Sequence, residues 1–250
     1  MHFSGDNSGG PSAGAFHVTR WSIVRAAVDR DSLASQGALQ TLCETYWYPL
    51  YAYARRSGRS ADDAADVTQS FFAQLLERPL LESADPEFGR FRTFLLTVFK
   101  RFLINDFQRQ QAQKRGGGVA TISIDSATGE QQYRHEPASN WTAEDLYERR
   151  WALTLLSLTM ERLEQEYRER GKLRLFELCR PHLAGSEGKL TCAETGRELK
   201  LTEAAVRVTV HRMRARFREL LAAEIASTID ERCSIVEELE YLRSVIREKK

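Results

Sequence analysis

Apolar residues recur at three- and four-residue intervals through most of the chain, the period that turns one face of a helix toward a core. Ala64, Val67, Phe71 and Leu75 mark one such face, with Phe72 and Leu76 beside it. Ser60-Ala61-Asp62-Asp63 reads as the capping box that starts this helix, and Pro79 as its stop. Phe91, Phe94, Leu95, Val98, Phe102 and Leu103 form a longer stripe that continues toward Phe107. Upstream, Leu39, Leu42, Tyr46, Leu50 and Tyr53 share a face over residues 38–56, where Pro49 is a candidate kink. A last long helix over 203–226 buries Val206, Val210, Met213, Phe217 and Leu220. Residues 121–124 are the only short strand candidate. The pattern predicts an all-α protein.

A chain of 250 residues makes one large or two small domains. Residues 1–18 are rich in glycine and serine and predict a disordered N-terminal tail. Residues 19–113 form a first helical domain. Residues 114–141, opened by Gly116-Gly117-Gly118, read as a flexible linker. Thr142-Ala143-Glu144-Asp145 is a second capping box, and it opens a second helical domain over 142–226. Within that domain Leu173, Phe176, Leu183 and Leu190 mark an additional packing element. Residues 227–250 carry Ile235, Leu239, Leu242 and Ile246 at 4-3-4 spacing, an amphipathic helix expected to pack back on the second domain or to bind a partner.

Composition narrows the function classes. Apolar residues make up 42% and charged residues 28%, an ordinary globular balance. The longest uncharged apolar stretches, such as Leu153–Met160, fall short of the roughly 20 residues that span a bilayer. No apolar signal core stands near the start, so a cytoplasmic protein away from membranes is expected. The cysteines at 43, 179, 192 and 233 form no CxxC and have no histidine at zinc-ligand spacing. The histidines at 2, 17, 135, 182 and 211 form no metal motif, and Gly185-Ser186-Glu187-Gly188-Lys189 lacks phosphate-loop spacing. No catalytic residue, metal, cofactor or small-molecule substrate is predicted, and the protein does not read as an enzyme.

Charge is informative through its distribution. The net charge is +1, yet residues 88–118 hold Arg90, Arg92, Lys100, Arg101, Arg109, Lys114 and Arg115 against the single acid Asp106. Residues 197–220 hold Arg197, Lys200, Arg207, Arg212, Arg214, Arg216 and Arg218 against Glu198, Glu203 and Glu219. Two basic islands in a neutral chain suit two contacts with a polyanion, or two solvated helix faces. The second island has a helix-turn-helix layout: a short helix over 191–199, a turn at Lys200-Leu201-Thr202, and the long helix from Glu203. Thr202 is a good N-cap, Gly196 allows close crossing, and Leu201 and Val206 are the expected apolar anchors. An ordinary antiparallel helix pair is the competing reading. Lys200 stands where such turns usually carry glycine; a positive φ there costs roughly 1 kcal/mol.

Three segments also carry a family resemblance. Residues 60–78, ending QSFFAQLLER, resemble the core-binding helix of bacterial sigma factors of the sigma-70 family, extracytoplasmic-function group. Residues 88–115 resemble that group's promoter-melting and −10-reading helix, and residues 191–221 its −35-reading helix-turn-helix. Thr19-Arg20-Trp21, the run from Tyr46 to Leu50 and the Lys114-Arg115-Gly116-Gly117-Gly118 junction are similar to a serine/threonine-kinase-associated subgroup. The resemblance implies two helical domains, sigma2-like and sigma4-like. The partners it implies are core RNA polymerase (the β′ clamp helices and the β flap) and promoter DNA. It places Asp62, Asp63, Asp66, Gln69 and Phe72 on polymerase. It places Lys100, Arg101, Asn105, Asp106, Gln108, Arg109, Lys114 and Arg115 on the −10 element, with Phe99 and Phe107 as stacking surfaces or core. It places Thr202, Glu203, Arg207, Thr209, His211, Arg212 and Arg214 on the −35 element.

One departure bears on regulation. The family's usual glutamates fall on Ala65 and Ser70, and its usual aliphatic position on Thr68. Phosphate would add about −1.5 to −2 charge at either hydroxyl. Thr68, or second Ser70, is therefore a candidate phosphosite for a Ser/Thr protein kinase that restores an acidic polymerase-binding surface. The alternative for the whole chain is a stand-alone helix-turn-helix repressor or activator.

Overall fold

The structure is a computed structural model that describes residues 24, 27, 33–77, 79–84, 89–113, 126–136, 141–183, 190–226 and 234–247. The expected tail over 1–18, the strand candidate at 121–124 and the Lys114–Gly118 junction lie outside the described residues. Among the described residues there is no strand. The fold is all-α, as the periodicity predicts.

The helices are α1 (Leu33–Arg56), α2 (Ala61–Leu76), α3 (Pro79–Glu82), α4 (Phe91–Gln113), α5 (Ser126–Tyr133), α6 (Ala143–Glu169), α7 (Leu173–Cys179), α8 (Cys192–Leu199), α9 (Glu203–Ala226) and α10 (Ile235–Ile246). Their starts follow the sequence signals. The Asp63 amide donates to Ser60 Oγ at 3.1 Å, capping α2. At α6 the capping box is complete in both directions, Asp145 N to Thr142 Oγ1 and Thr142 N to Asp145 Oδ2, each 3.1 Å. Each cap satisfies amides that a helix start leaves open. Helix α1 begins five residues earlier than its apolar stripe and runs through Pro49.

Two cores result. The larger gathers Leu42, Tyr46 and Leu50 of α1, Val67, Phe71 and Leu75 of α2, and Phe91, Leu95 and Phe99 of α4. Tyr147, Trp151 and Leu155 from the first half of α6 complete it, with Leu221 and Ile225 of α9 and Leu242 of α10. The smaller holds Leu163, Phe176, Cys179, Val206, Val210, Met213 and Leu220. Helices α6 and α9 run through both. Their apolar faces therefore join the two regions the sequence divides.

Part of the expected linker is a docked helix. α5 reaches α1 through Glu130, which accepts from Tyr51 Oη at 2.7 Å and from Arg55 Nε at 2.9 Å. Gly129 lies so close to Trp47 that an added Cβ would meet its ring at 2.9 Å. The polar composition of this stretch hides the docking, because two carboxylates and one small residue do the work of an apolar stripe. Glu136 likewise accepts from Tyr48 Oη at 2.8 Å and pairs with Arg150.

Candidate nucleic-acid interface

Helix α2 presents one face to the core and another outward. Asp62, Asp63, Asp66 and Ser70 are exposed and Gln69 is half-buried, so the polar residues expected on polymerase share an open surface. Phe72 does not join them. It is 3% exposed and packs edge-on against Phe71, because its place in the helical period turns it inward. Thr68 is also inside, fully buried with no hydrogen-bond partner for Oγ1. A kinase cannot reach it while α2 stays folded, and a phosphate there would bury about two charges. Ser70 alone of the two candidate phosphosites is accessible.

Helix α4 divides along its length. Phe99 is core, in edge-to-face contact with Phe71 at 5.0 Å and Tyr53 at 6.1 Å. Toward the C-terminal end, Ile104, Asn105, Phe107 and Gln108 are exposed, Ile104 and Phe107 each by more than half. An open aromatic beside an amide and a basic neighbour is the arrangement that stacks and reads unpaired bases. Asp106 is committed elsewhere: Arg59 Nη1 holds its carboxylate at 3.0 Å while Nη2 bonds the Leu103 carbonyl. Lys100 Nζ lies 2.6 Å from Glu144 of α6. That hydrogen bond lowers the Glu144 carboxyl and raises the Lys100 ammonium from their ordinary values. Arg101 is exposed. Arg109 lies within the helix, but its side chain, with Lys114 and Arg115, falls outside the described residues.

The second basic island has the expected local geometry. The Thr191–Glu194 capping box starts α8. The Leu201 amide donates to the Gly196 carbonyl at 2.8 Å, closing a tight turn. A Cβ on Gly196 would meet Leu201 O at 2.7 Å, so only glycine fits this crossing without a shift. Lys200 ends α8 at φ 56°, the left-handed region. Thr202 Oγ1 then accepts from Ala205 N at 3.2 Å and caps α9. Val206 is buried as an anchor, whereas the Leu201 side chain is 42% exposed: the backbone of Leu201 fastens the turn and its side chain turns out.

Along the outer face of α9, Glu203, Arg207, His211, Arg212 and Arg214 are exposed, as is Thr202 before it. Arg207 bonds Glu203 one turn back at 2.6 Å, an exposed pair worth a few tenths of a kcal/mol. Arg214 donates to the His182 carbonyl at 2.5 Å, which turns it away from the first turns of α9. Thr209 is half-buried and its hydroxyl returns to Ala205 O at 2.8 Å. Arg216 is tied to Glu166 and Glu219, and these bonds raise its guanidinium and lower the Glu166 carboxyl. Val208, half exposed between the basic residues, is absent from the sequence-derived set. Its signal was available, since it falls outside the Val206–Val210–Met213 stripe.

Among the described residues, no helix is long and apolar enough to cross a membrane, and no group of three or more His, Cys, Asp or Glu gathers to hold a metal ion. With this geometry in place, the comparisons with known proteins give one match. Residues 42–113, from α1 through α4, match the family model for Sigma-70 region 2. No curated protein and no solved structure matches the chain. The match covers 72 of the chain's 250 residues and makes the part from α1 through α4 similar to Sigma-70 region 2.

Proposed function

We propose that the chain is an alternative sigma factor of the extracytoplasmic-function type, acting in the cytoplasm without catalytic residues of its own. The observation that carries this reading is a Sigma-70 region 2 over 42–113 followed, later in the same chain, by a helix-turn-helix whose second helix opens on exposed cations. Asp62, Asp63, Asp66 and Gln69 dock on the β′ clamp helices. Asn105, Phe107, Gln108 and Arg101 meet the −10 element. Arg207, His211 and Arg212 reach the −35 element from the start of α9, and residues 142–226 meet the β flap. Phosphate contacts set register on the duplex and a few base contacts choose the promoter. A factor held by a large polymerase therefore needs little DNA affinity of its own.

The kinase-linked part of the proposal now rests on Ser70. It is exposed on the same helix as Asp62, Asp63 and Asp66, where a phosphate restores acid that the helix lacks. Gel filtration with core polymerase tests both layers. Co-migration of wild type and Ser70→Asp, with weaker retention of Ser70→Ala after kinase treatment, is the expected result. Equal retention of all forms removes the phosphate layer, and co-migration of none removes the sigma reading. A stand-alone repressor or activator leaves the open aromatic end of α4 without a task.

A further inference from the structure

We infer that Val208, with Ala204 one turn before it, reads the 5-methyl group of thymine on the floor of a DNA major groove. This rests on the helix-turn-helix role of α9 proposed above and adds the base that the helix selects. Val208 is 50% exposed, and Ala204 is exposed as well. With about 3.6 residues per turn, Val208 stands about 160° around α9 from the buried Val206 and Val210 and about 140° from the buried Met213. It therefore marks the centre of the outward face, with Ala204 about 40° to one side. His211 and Arg207 follow on that side, about 60° and 100° from Val208, and Arg212 stands about 40° away on the other. All three basic residues are exposed. The outer face of α9 thus has an apolar centre and cationic flanks.

A helix that meets only water has the reverse order, with its polar residues farthest from the core. One exposed valine is ordinary. What sets Val208 apart is its place: opposite the core stripe, between cations, in the second turn of the helix that follows the tight turn. The cross-section of a major groove has the same order. Its walls are phosphate backbones and its floor is base edges. Arg207, His211 and Arg212 match the walls, and Ala204 and Val208 match the floor. The exposed Arg207–Glu203 pair is weak enough to yield to a phosphate. Of the base edges in that groove, thymine's carries an apolar group, its 5-methyl. Facing a valine, the amino, keto and ring-nitrogen groups of the other bases lose water and gain no hydrogen bond. Ala204 adds little bulk at the first turn, the end from which such helices read bases. The pair therefore favours thymine by contact and disfavours the other bases by desolvation.

The test uses the full chain in two arms, alone and with core RNA polymerase, each enriching preferred sites from a random pool of duplex DNA. Each thymine of the enriched element is then replaced by deoxyuridine, which removes the 5-methyl and nothing else. At one or two neighbouring positions this is expected to weaken binding about fourfold, the worth of one buried methyl group. Val208→Ala is expected to bind thymine and deoxyuridine alike at those positions and to keep the wild-type salt slope. Val208 belongs to neither core, so this variant keeps the fold. Arg207→Ala is expected to do the opposite, with a shallower salt slope and the thymine preference retained. Four results overturn the inference: equal binding of thymine and deoxyuridine at every position, a preference that survives Val208→Ala, an enriched element without thymine, or no enrichment in either arm. A thymine preference in the arm without polymerase, joined to no initiation in the other, upholds Val208 as the reader and removes the sigma reading, so the two failures are told apart.

Discussion

The two basic islands have similar composition and opposite settings. At the start of α4 and along it, Arg90, Arg92 and Lys100 pair with carboxylates from distant parts of the chain, Arg92 buried and the other two partly exposed. On α9, Arg207, His211 and Arg212 are exposed, and Arg207 pairs with its helical neighbour Glu203. The same number of basic residues thus does different work. Arg90, Arg92 and Lys100 tie helices together, whereas Arg207, His211 and Arg212 near the start of α9 face outward; farther along α9, Arg214 and Arg216 are tied back to the protein.

The largest expected effect is at Arg92. Arg92→Ala leaves Glu238 buried without its main partner, and the loss expected for breaking a buried pair is about 3–5 kcal/mol. Urea denaturation measures it; a loss under about 1 kcal/mol would show that the two islands do not differ in this way. Next is Gly196→Ala, where the new methyl meets Leu201 O. Overpacking of this kind costs about 1–3 kcal/mol, read as a lower urea midpoint, and the turn before α9 should lose DNA binding with it. Lys200→Gly relieves a left-handed lysine and should stabilise by about 1 kcal/mol. An unchanged urea midpoint would contradict strain at Lys200. Smallest in stability is Arg207→Ala, expected within about 0.5 kcal/mol of wild type. Its consequence belongs to binding: a weaker hold on promoter duplex and a salt slope shallower by about 0.9.

Acid acts on paired carboxylates inside and outside both islands. Glu130, Glu144 and Glu166 are held below their ordinary value of 4.5 by hydrogen bonds from Arg55, Lys100 and Arg216. A carboxyl lowered in the folded state stabilises above its unfolded value and loses that contribution as pH falls through its folded one. The melting temperature should therefore hold steady above about pH 5 and fall below it. Glu144→Gln should flatten part of that fall. An acid profile unchanged by Glu144→Gln would contradict the hold of Lys100 on that carboxylate.

Much of this was legible in advance because helices announce themselves locally. The caps at Ser60, Thr142 and Thr202 and the stripes of α2 and α9 sit within a few residues of one another, so the chain alone locates them. Phe72 and Thr68 were misplaced because family likeness ranks residues by motif, whereas burial follows the angle each occupies around α2. The docking of α5 was not readable, since Glu130 and Glu136 find Arg55, Tyr51, Tyr48 and Arg150 only through tertiary folding. For the same reason Asp106 looked like a base-reading group until Arg59 claimed it, and Lys100 looked free until Glu144 did. The tail helix was expected against the second region; it does pack on α6 and α9, and through Glu238 it also reaches α4.

Run-off transcription over a random promoter library, with purified core polymerase and with or without this protein, tests the central claim most directly. The account predicts transcripts that start at defined positions only when the protein is present, from templates sharing two upstream elements. Templates bound by the protein with no added initiation, or initiation indifferent to its presence, would contradict it.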